Sequence, residues 1–238
     1  MMRRPLSEQP WPAALRRLNA LTALDDEAIH AIGQAIERPR SFRAKREMHA
    51  EGAEFTDALL ILDGWAARQR ILEDGRRQLV DILLPGDLVG ACDHARPLAT
   101  ASVLALTDVT VCVAPAAESS PALARAYATS RAWGEAGLIA SVARIGRMNA
   151  QERICDLLLE LLERLELTGA AADGRCSLPL TQEVIADTLG LTSVHVNRTL
   201  QTLRREGAID LKGRDLVVRD PKALGRSIGR TATRVTAV

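Results

Sequence analysis

The segment from Thr181 to Ile209, TQEVIADTLGLTSVHVNRTLQTLRREGAI, restricts the fold more than any other stretch of the chain. It reads as two short helices separated by one glycine. Thr181 is a good N-cap, and Glu183 in the first turn suits the positive end of a helix dipole. Leu180 and Ile185 occupy the N′ and N4 positions of a hydrophobic staple. Gly190 can take the left-handed conformation that stops the first helix. Leu191 can plug the angle between the helices, and Thr192 can cap the second. There, Val196, Leu200 and Leu203 follow an i, i+4, i+7 spacing and so face a core.

The opposite face of the second helix carries Val194, Arg198, Gln201 and Arg205, with Asn197 to the side and Ser193 in the first turn. Short or neutral side chains around one arginine let a helix approach a groove closely. Arginine can bridge guanine O6 and N7 with a pair of hydrogen bonds. The helix N-terminus at Thr192 and Ser193 can meet a phosphate. Downstream, AIDLKGRDLVVRD alternates around Lys212–Gly213–Arg214, a two-stranded hairpin with a basic tip. A helix pair alone fits an ordinary αα corner. Together with the caps, the outward arginine and the basic hairpin, it predicts a winged helix.

The rest of the chain has a different texture. LNALTALDDEAIHAIGQAIE has helical spacing, with Asp25 placed to cap a helix beginning just after it. From Ser41 to Val113, strand-length runs (ALLIL, QLVDILL, VTVCV) alternate with turn signals, which suggests an antiparallel sandwich or barrel. Asp63–Gly64 and Asp74–Gly75 supply the positive φ that hairpin turns require. Glu73, Asp74, Arg76 and Arg77 are therefore expected at an exposed hairpin tip. Between Pro121 and Met148, Leu138, Val142 and Ile145 begin a heptad-like seam, widened by Ile139 and Met148. This stripe needs cover, either from a second copy of the chain or from its own sandwich; the dimer seam is the preferred expectation. Asn149 with Glu152 has capping-box spacing, so a new helix starts there, with Ile154, Leu157, Leu158, Leu161 and Leu165 on its apolar face. The break makes a natural hinge near Arg147–Asn149. GAAADGR is expected to end that helix in a loop.

Net charge is only +1 over 238 residues, but it is unevenly placed. From Ser177 onward there are ten Lys/Arg against six Asp/Glu; the preceding residues hold 21 against 24. A basic C-terminal part on a mildly acidic body fits a localised anionic partner. No apolar run approaches the ~18–20 residues of a membrane span, and the N-terminal MMRRPLSEQPWPAALRR lacks a signal-type apolar core. The expectation is a soluble cytoplasmic protein. Cys92, Cys112, Cys155 and Cys176 form neither a C-x-x-C pair nor a disulfide framework and read as reduced thiols.

With these residues in view, the chain resembles the Crp/Fnr superfamily of bacterial transcription factors. LTQEVIADTLGLTSVHVNRTLQTLRREGAI is similar to that family's winged helix. LLILDGWAARQRILEDGRRQLVDILLPGDLVG resembles its glycine-punctuated β-roll, and the long helical stretch together with AQERICDLLLELL its dimerisation and hinge regions. The resemblance runs from about Leu15 to Asp220. It implies an α+β chain with an N-terminal jelly-roll barrel of eight strands, of the cyclic-nucleotide-binding type, at 15–116. It further implies a dimerisation helix and hinge at 117–148, a winged helix-turn-helix at 149–225 and a basic tail at 226–238. By the same resemblance, a homodimer binds a palindromic DNA operator and recruits RNA polymerase, and the sensor controls DNA-binding geometry. Base contacts carry over to Ser193, Val194, Asn197 and Arg198. Backbone contacts are expected from Thr181, Gln182, Thr192, Gln201, Lys212 and Arg214. Many members have glutamate where this chain has Val194. Glutamate would accept from cytosine N4, whereas valine can touch a thymine methyl.

The sensor departs from the cyclic-AMP pattern. In GDLVGACDHARPLATASVLALT, Asp87 takes the place of the usual glutamate. The arginine expected near Ala99–Thr100 is absent, and Arg96 lies three residues early. A buried phosphate needs a charge partner, so cyclic AMP is disfavoured. An iron–sulfur cluster is disfavoured because the first cysteine is Cys92. Haem stays open. Cys92 and His94 share a loop and are weak candidates for metal ligands, with a surface polar loop the preferred reading. Cys176 precedes the first helix of the motif, where a thiol can be redox-sensitive or simply a passive strand residue. His30, His49 and His195 suggest no site. No nucleophile elbow, phosphate loop or paired-carboxylate constellation points to an enzyme. The alternative to a DNA-binding regulator is a protein-interaction module using the winged helix and β-roll as docking surfaces.

Overall fold

The computed structural model describes residues 12–92, 94–233 and 235. The rest of the expected basic tail, residues 234 and 236–238, lies outside the described residues, as do residues 1–11. Backbone contacts divide the chain into two compact units. One comprises the chain up to Ala66 together with Leu83–Ala132, the other Ala67–Ile82 with Trp133–Val238.

The first unit opens with helices α1 (Ala13–Leu21) and α2 (Asp26–Ile36). Asp25 caps α2 by accepting from the Ala28 amide at 2.8 Å and also accepts from the Ser120 hydroxyl. These bonds, Ser120 first, hold its carboxyl below the usual carboxylate range. Eight strands follow: β1 (Arg40–Phe42), β2 (Glu47–His49), β3 (Leu59–Asp63), β4 (Ala66–Ile71), β5 (Arg77–Leu83), β6 (Leu88–Val89), β7 (Ser102–Ala105) and β8 (Val109–Val113). They form two sheets with orders β1-β8-β3-β6 and β2-β7-β4-β5. The apolar run in β3 is continuous because both its faces are buried. Leu59 and Ile61 join Met48, Leu83, Val103 and Val111 inside the roll; Leu60 and Leu62 face Leu15, Leu18, Ile32 and Leu123 on the helical side. The Asp63–Gly64 turn demands glycine twice over. Its φ is +86°, and a Cβ there would lie 2.1 Å from the Asp108 carbonyl oxygen.

A long helix, α3 (Pro121–Arg147), follows a short 3-10 turn at Ala117–Ser119. In the second unit, α4 (Ala150–Thr168) starts at a complete capping box: Asn149 accepts from the Gln151 and Glu152 amides, and Glu152 accepts from the Asn149 amide. The five apolar positions expected to face a core are buried, and so are Cys155, Leu159 and Leu162. Helix α4 is thus covered on more than one side. One of its covers is α7 (Pro221–Ser227), where Gly225 comes within 3.8 Å of Leu159 when given a Cβ.

The GAAADGR stretch is not the plain loop expected. Gly169 ends α4 at φ +73°, and β9 (Ala171–Ala172) then turns into β10 (Arg175–Ser177). β10 is drawn into a sheet because β12 (Asp215–Val218) offers it a partner strand, giving the order β11-β12-β10-β9 with β11 at Ile209–Lys212. Between these lie α5 (Gln182–Leu189) and α6 (Ser193–Arg205).

The second unit also contains a dense ionic cluster. Arg144 of α3 is 2% exposed; its Nε donates to Asp156 at 2.7 Å, and its Nη2 pairs with Glu160. Arg230 meets the other oxygen of Asp156 at 2.7 Å and Glu163 at 2.5 Å. Removing one partner from such a set leaves a buried charge uncompensated, which costs far more than the intact pair contributes. Arg144→Met should therefore destabilise the protein by ~3–5 kcal/mol, read as a fall in the urea midpoint with an unchanged slope; a shift within ~0.5 kcal/mol of zero would show the pair to be dispensable.

Candidate nucleic-acid interface

Helices α5 and α6 are set by the local signals in the sequence. The Thr181 hydroxyl accepts from the Val184 amide at 3.2 Å, and Gly190 stops α5 at φ +63°. The Thr192 hydroxyl accepts from the His195 amide at 3.2 Å and opens α6. Val196, Leu200 and Leu203 are 0%, 4% and 1% exposed, so the buried stripe is the one the spacing predicted. Arg153 of α4 ties the pair down by donating to the Leu189 carbonyl at 3.0 Å, satisfying an end carbonyl of α5.

The other side of α6 faces outward. Ser193, Val194, Arg198, Gln201 and Arg205 are exposed, and Asn197 is half-buried. Val194 is 60% exposed, unusual for a valine on a folded helix and suited to an apolar contact made on binding. Unlike the arginines of the ionic cluster, Arg198 has no hydrogen-bond or ion-pair partner among the described residues. It lines a cleft of about 390 Å³ with Gln151, Thr192, Val194, His195, Thr199 and Thr202. The β11–β12 hairpin turns at Gly213 (φ +61°), with Lys212 and Arg214 exposed at its tip. Thr181, Gln182 and Thr192 are also exposed. The structure thus gathers the expected base-facing and backbone-facing residues into the second unit. Leu138, Ile139 and Val142 lie on α3 at 42%, 65% and 74% exposure, and Ile145 is half-buried.

One expectation needs correction. Glu73, Asp74 and Arg76 are exposed at the β4–β5 turn, but Arg77 is not part of an open tip. Its Nε donates to Asp187 of α5 at 2.8 Å, and the neighbouring Gln78 side-chain Nε2 donates to the Thr188 carbonyl at 3.1 Å. Arg164 of α4 donates to the Ile82 carbonyl at 2.7 Å. Residues 67–82 group with the C-terminal unit, and these contacts lie within it. The partners are 110 residues apart in the chain, and no local pattern announces such a pairing.

In the first unit, the residues at the sensor's phosphate position do not fit a cyclic phosphate. The Asp87 carboxylate is taken up internally. It accepts from the Leu84 amide at 2.7 Å and pairs at 2.8 Å with Arg17, itself 2% exposed. Ala99 is buried at the place of the missing arginine, and the exposed guanidinium of Arg96 is held by Glu54 at 2.8 Å. Cys92 and His94 are exposed, and His94 Nδ1 accepts from the Arg96 amide at 3.1 Å. Among the described residues, no group of three or more potential ligands gathers around a metal position.

The second unit contains a winged helix-turn-helix and the first most of a β-roll, the two-part plan of a DNA-binding regulator with a sensor. A Crp-like helix-turn-helix domain matches residues 152–227, and a cyclic nucleotide-binding domain matches residues 39–125. The chain is 31% identical over 211 residues to the transcriptional activator protein FnrL of Cereibacter sphaeroides, covering 85% of this chain and 84% of FnrL. It is 34% identical over 214 residues to the nitrogen fixation regulation protein FixK of Bradyrhizobium diazoefficiens, covering 87% and 89%. The solved structure of FixK2 from Bradyrhizobium japonicum superposes with a TM-score of 0.70 at 27% identity, over 83% of this chain and 98% of that one. The chain belongs to the Crp/Fnr superfamily of DNA-binding transcriptional regulators.

Burial, with a contribution from Glu166, pushes the Cys176 thiol up to about 11; burial does the same at Cys112 and Cys155. A thiol with so little thiolate is a poor nucleophile. Cys92 is the exposed one. Alkylation of the native protein at pH 7.5 is expected to modify Cys92 first and leave Cys176 unmodified until the protein opens. Peptide mass spectrometry showing Cys176 modified as fast as Cys92 would restore the redox-sensitive reading of that thiol.

Proposed function

We propose that the chain acts as a homodimer on a palindromic operator, with α6 of each copy reading one half-site in the major groove. Two half-sites would be about one helical turn, ~34 Å, apart. The observation that carries this reading is the outward, unpaired Arg198, backed by a buried valine–leucine ridge. Ser193, Val194, Asn197 and Arg198 meet base edges. Thr181, Gln182, Thr192, Gln201, Lys212 and Arg214 meet the phosphate backbone. The exposed Leu138 and Val142, with Ile145, form the dimer seam, and the copies cover each other's apolar stripe. Residues 15–116 form the sensor, 117–148 the dimerisation helix and hinge, 149–225 the DNA-binding domain and 226–238 a basic tail. The protein works in the cytoplasm with RNA polymerase and catalyses no reaction itself. No helix among the described residues is long and apolar enough to cross a membrane. The sensor's effector is not a cyclic nucleotide held through its phosphate, because the carboxylate and guanidinium groups there already satisfy one another.

Arg198→Ala should cost about 1–3 kcal/mol on the cognate site and flatten base preference there, while binding to scrambled DNA changes little. Equal loss on both would assign Arg198 to phosphate neutralisation. Affinity should fall steeply with salt as counterions are released; a flat dependence would favour the protein-docking alternative.

Val194 should make the half-site tolerant at the base beside the guanine, with thymine accepted through its methyl group. Val194→Glu is expected to add a preference for cytosine there, seen in binding-site selection. A strict cytosine preference in the unaltered protein would refute this assignment.

A further inference from the structure

We infer that Gln182 and Gln201 are positioning residues that fix the polarity of Asn197, so that this side chain reads hydrogen-bond acceptors and is barred from the paired recognition of adenine. The inference rests on the reading of α6 as the base-reading helix.

Asn197 stands one residue before Arg198 on α6. Its Oδ1 accepts from two amides: Gln182 Nε2 of α5 at 3.3 Å and Gln201 Nε2, one turn further along α6, also at 3.3 Å. An amide oxygen has two lone pairs, and both are engaged. What remains for a ligand is the Asn197 Nδ2 group, with two donors and no acceptor. If Asn197 turned over alone, its N–H groups would face those of both glutamines, so the two donors hold the orientation.

A free asparagine favours adenine, because it can donate to N7 while accepting from the N6 amino group. With Oδ1 occupied, the accepting half of that pair is lost. Guanine presents O6 and N7, and thymine presents O4, all of them acceptors. Cytosine presents an amino donor in the groove, which meets the Asn197 N–H groups unfavourably. Adenine keeps one acceptor, N7, but its N6 amino group then faces the Asn197 donors, so the arrangement favours guanine or thymine. The two glutamines differ from ordinary backbone contacts in that removing them changes which base is chosen, not only how tightly DNA is held.

The test uses the full-length chain and selection from a randomised duplex pool. Asn197→Ala identifies the half-site position that Asn197 reads, as the position whose preference collapses. At that position, the unaltered protein should select guanine or thymine. The double variant Gln182→Leu/Gln201→Leu should shift it toward adenine by roughly tenfold, the scale of one bidentate pair. The Arg198-dependent guanine should stay as it was, which also shows that the variant is folded. Gln201→Leu alone, at an exposed site, should give a smaller shift in the same direction. Adenine or cytosine already preferred by the unaltered protein would overturn the proposal, since that is the outcome if the glutamine oxygens, and not their amides, faced Asn197. So would an unchanged profile in the double variant, or an Asn197→Ala profile identical to the unaltered one. An unaltered protein that selects no base at all from the pool would instead overturn the reading of α6 itself.

Discussion

Arg198 points outward because Val196, Leu200 and Leu203 cannot. Those three side chains are almost wholly buried, and a helix has only one face opposite its buried stripe. The remaining features of the second unit keep that orientation in place. The Thr192 cap sets where α6 begins, Gly190 sets the turn before it, and Arg153 anchors the end of α5. Slippage of the α6 start by one residue would rotate every outward side chain by about 100° and carry Arg198 off the exposed face. The outward facing of Arg198 thus depends on the fit of three apolar side chains.

The first unit carries a buried ion pair of its own. At Asp87, where cyclic-nucleotide binders place a carboxylate for a ligand, the structure brings in a guanidinium from α1. Arg17 Nη1 also reaches the Ser130 hydroxyl at 3.3 Å, and the Arg17 side chain packs over Gly86, where an added Cβ would lie 3.0 Å from it. One buried ion pair thereby joins α1, the start of β6 and α3. A charged pair this deep is held by its mutual satisfaction, since either partner alone would be costly.

The sequence made the local features legible and hid the long-range ones. Every cap argued from spacing (Asp25, Asn149, Thr181, Thr192) is made in the structure, because a cap is a contract between residues two or three apart. The buried stripes of α4 and α6 were legible for the same reason: a helix repeats fast enough for its face to be read from a dozen residues. The β9–β10 pairing was not, since the GAAADGR segment becomes strand only when β12 arrives beside it. Arg17, Arg77 and Arg230 were equally hidden. Each finds a carboxylate that is dozens of residues distant or more, and only the fold brings them together. In the interface itself, the residue types and their facing were readable, but the hydrogen-bond polarity of Asn197 was not, because it depends on α5 crossing α6 at the right height.

These long-range pairs also change how the charge distribution should be weighed. The excess of Lys/Arg beyond Ser177 includes Arg230, yet Arg230 is spent on Asp156 and Glu163, both outside that stretch. Conversely, Asp187 is counted against the excess but is neutralised by Arg77 from the β4–β5 hairpin. Among the exposed cations of the second unit without a close acidic partner are Arg198 and Arg204 of α6 and Arg214 at the hairpin tip, where Lys212 is only loosely held by Asp210 at 3.4 Å. Exposed pairs of that kind bind weakly and exchange readily for a phosphate. Pairs within the ionic cluster do not exchange, because their desolvation has already been settled in folding. Net charge summed over a stretch therefore misstates which cations of the second unit stay available at its surface, in a chain that as a whole is nearly neutral.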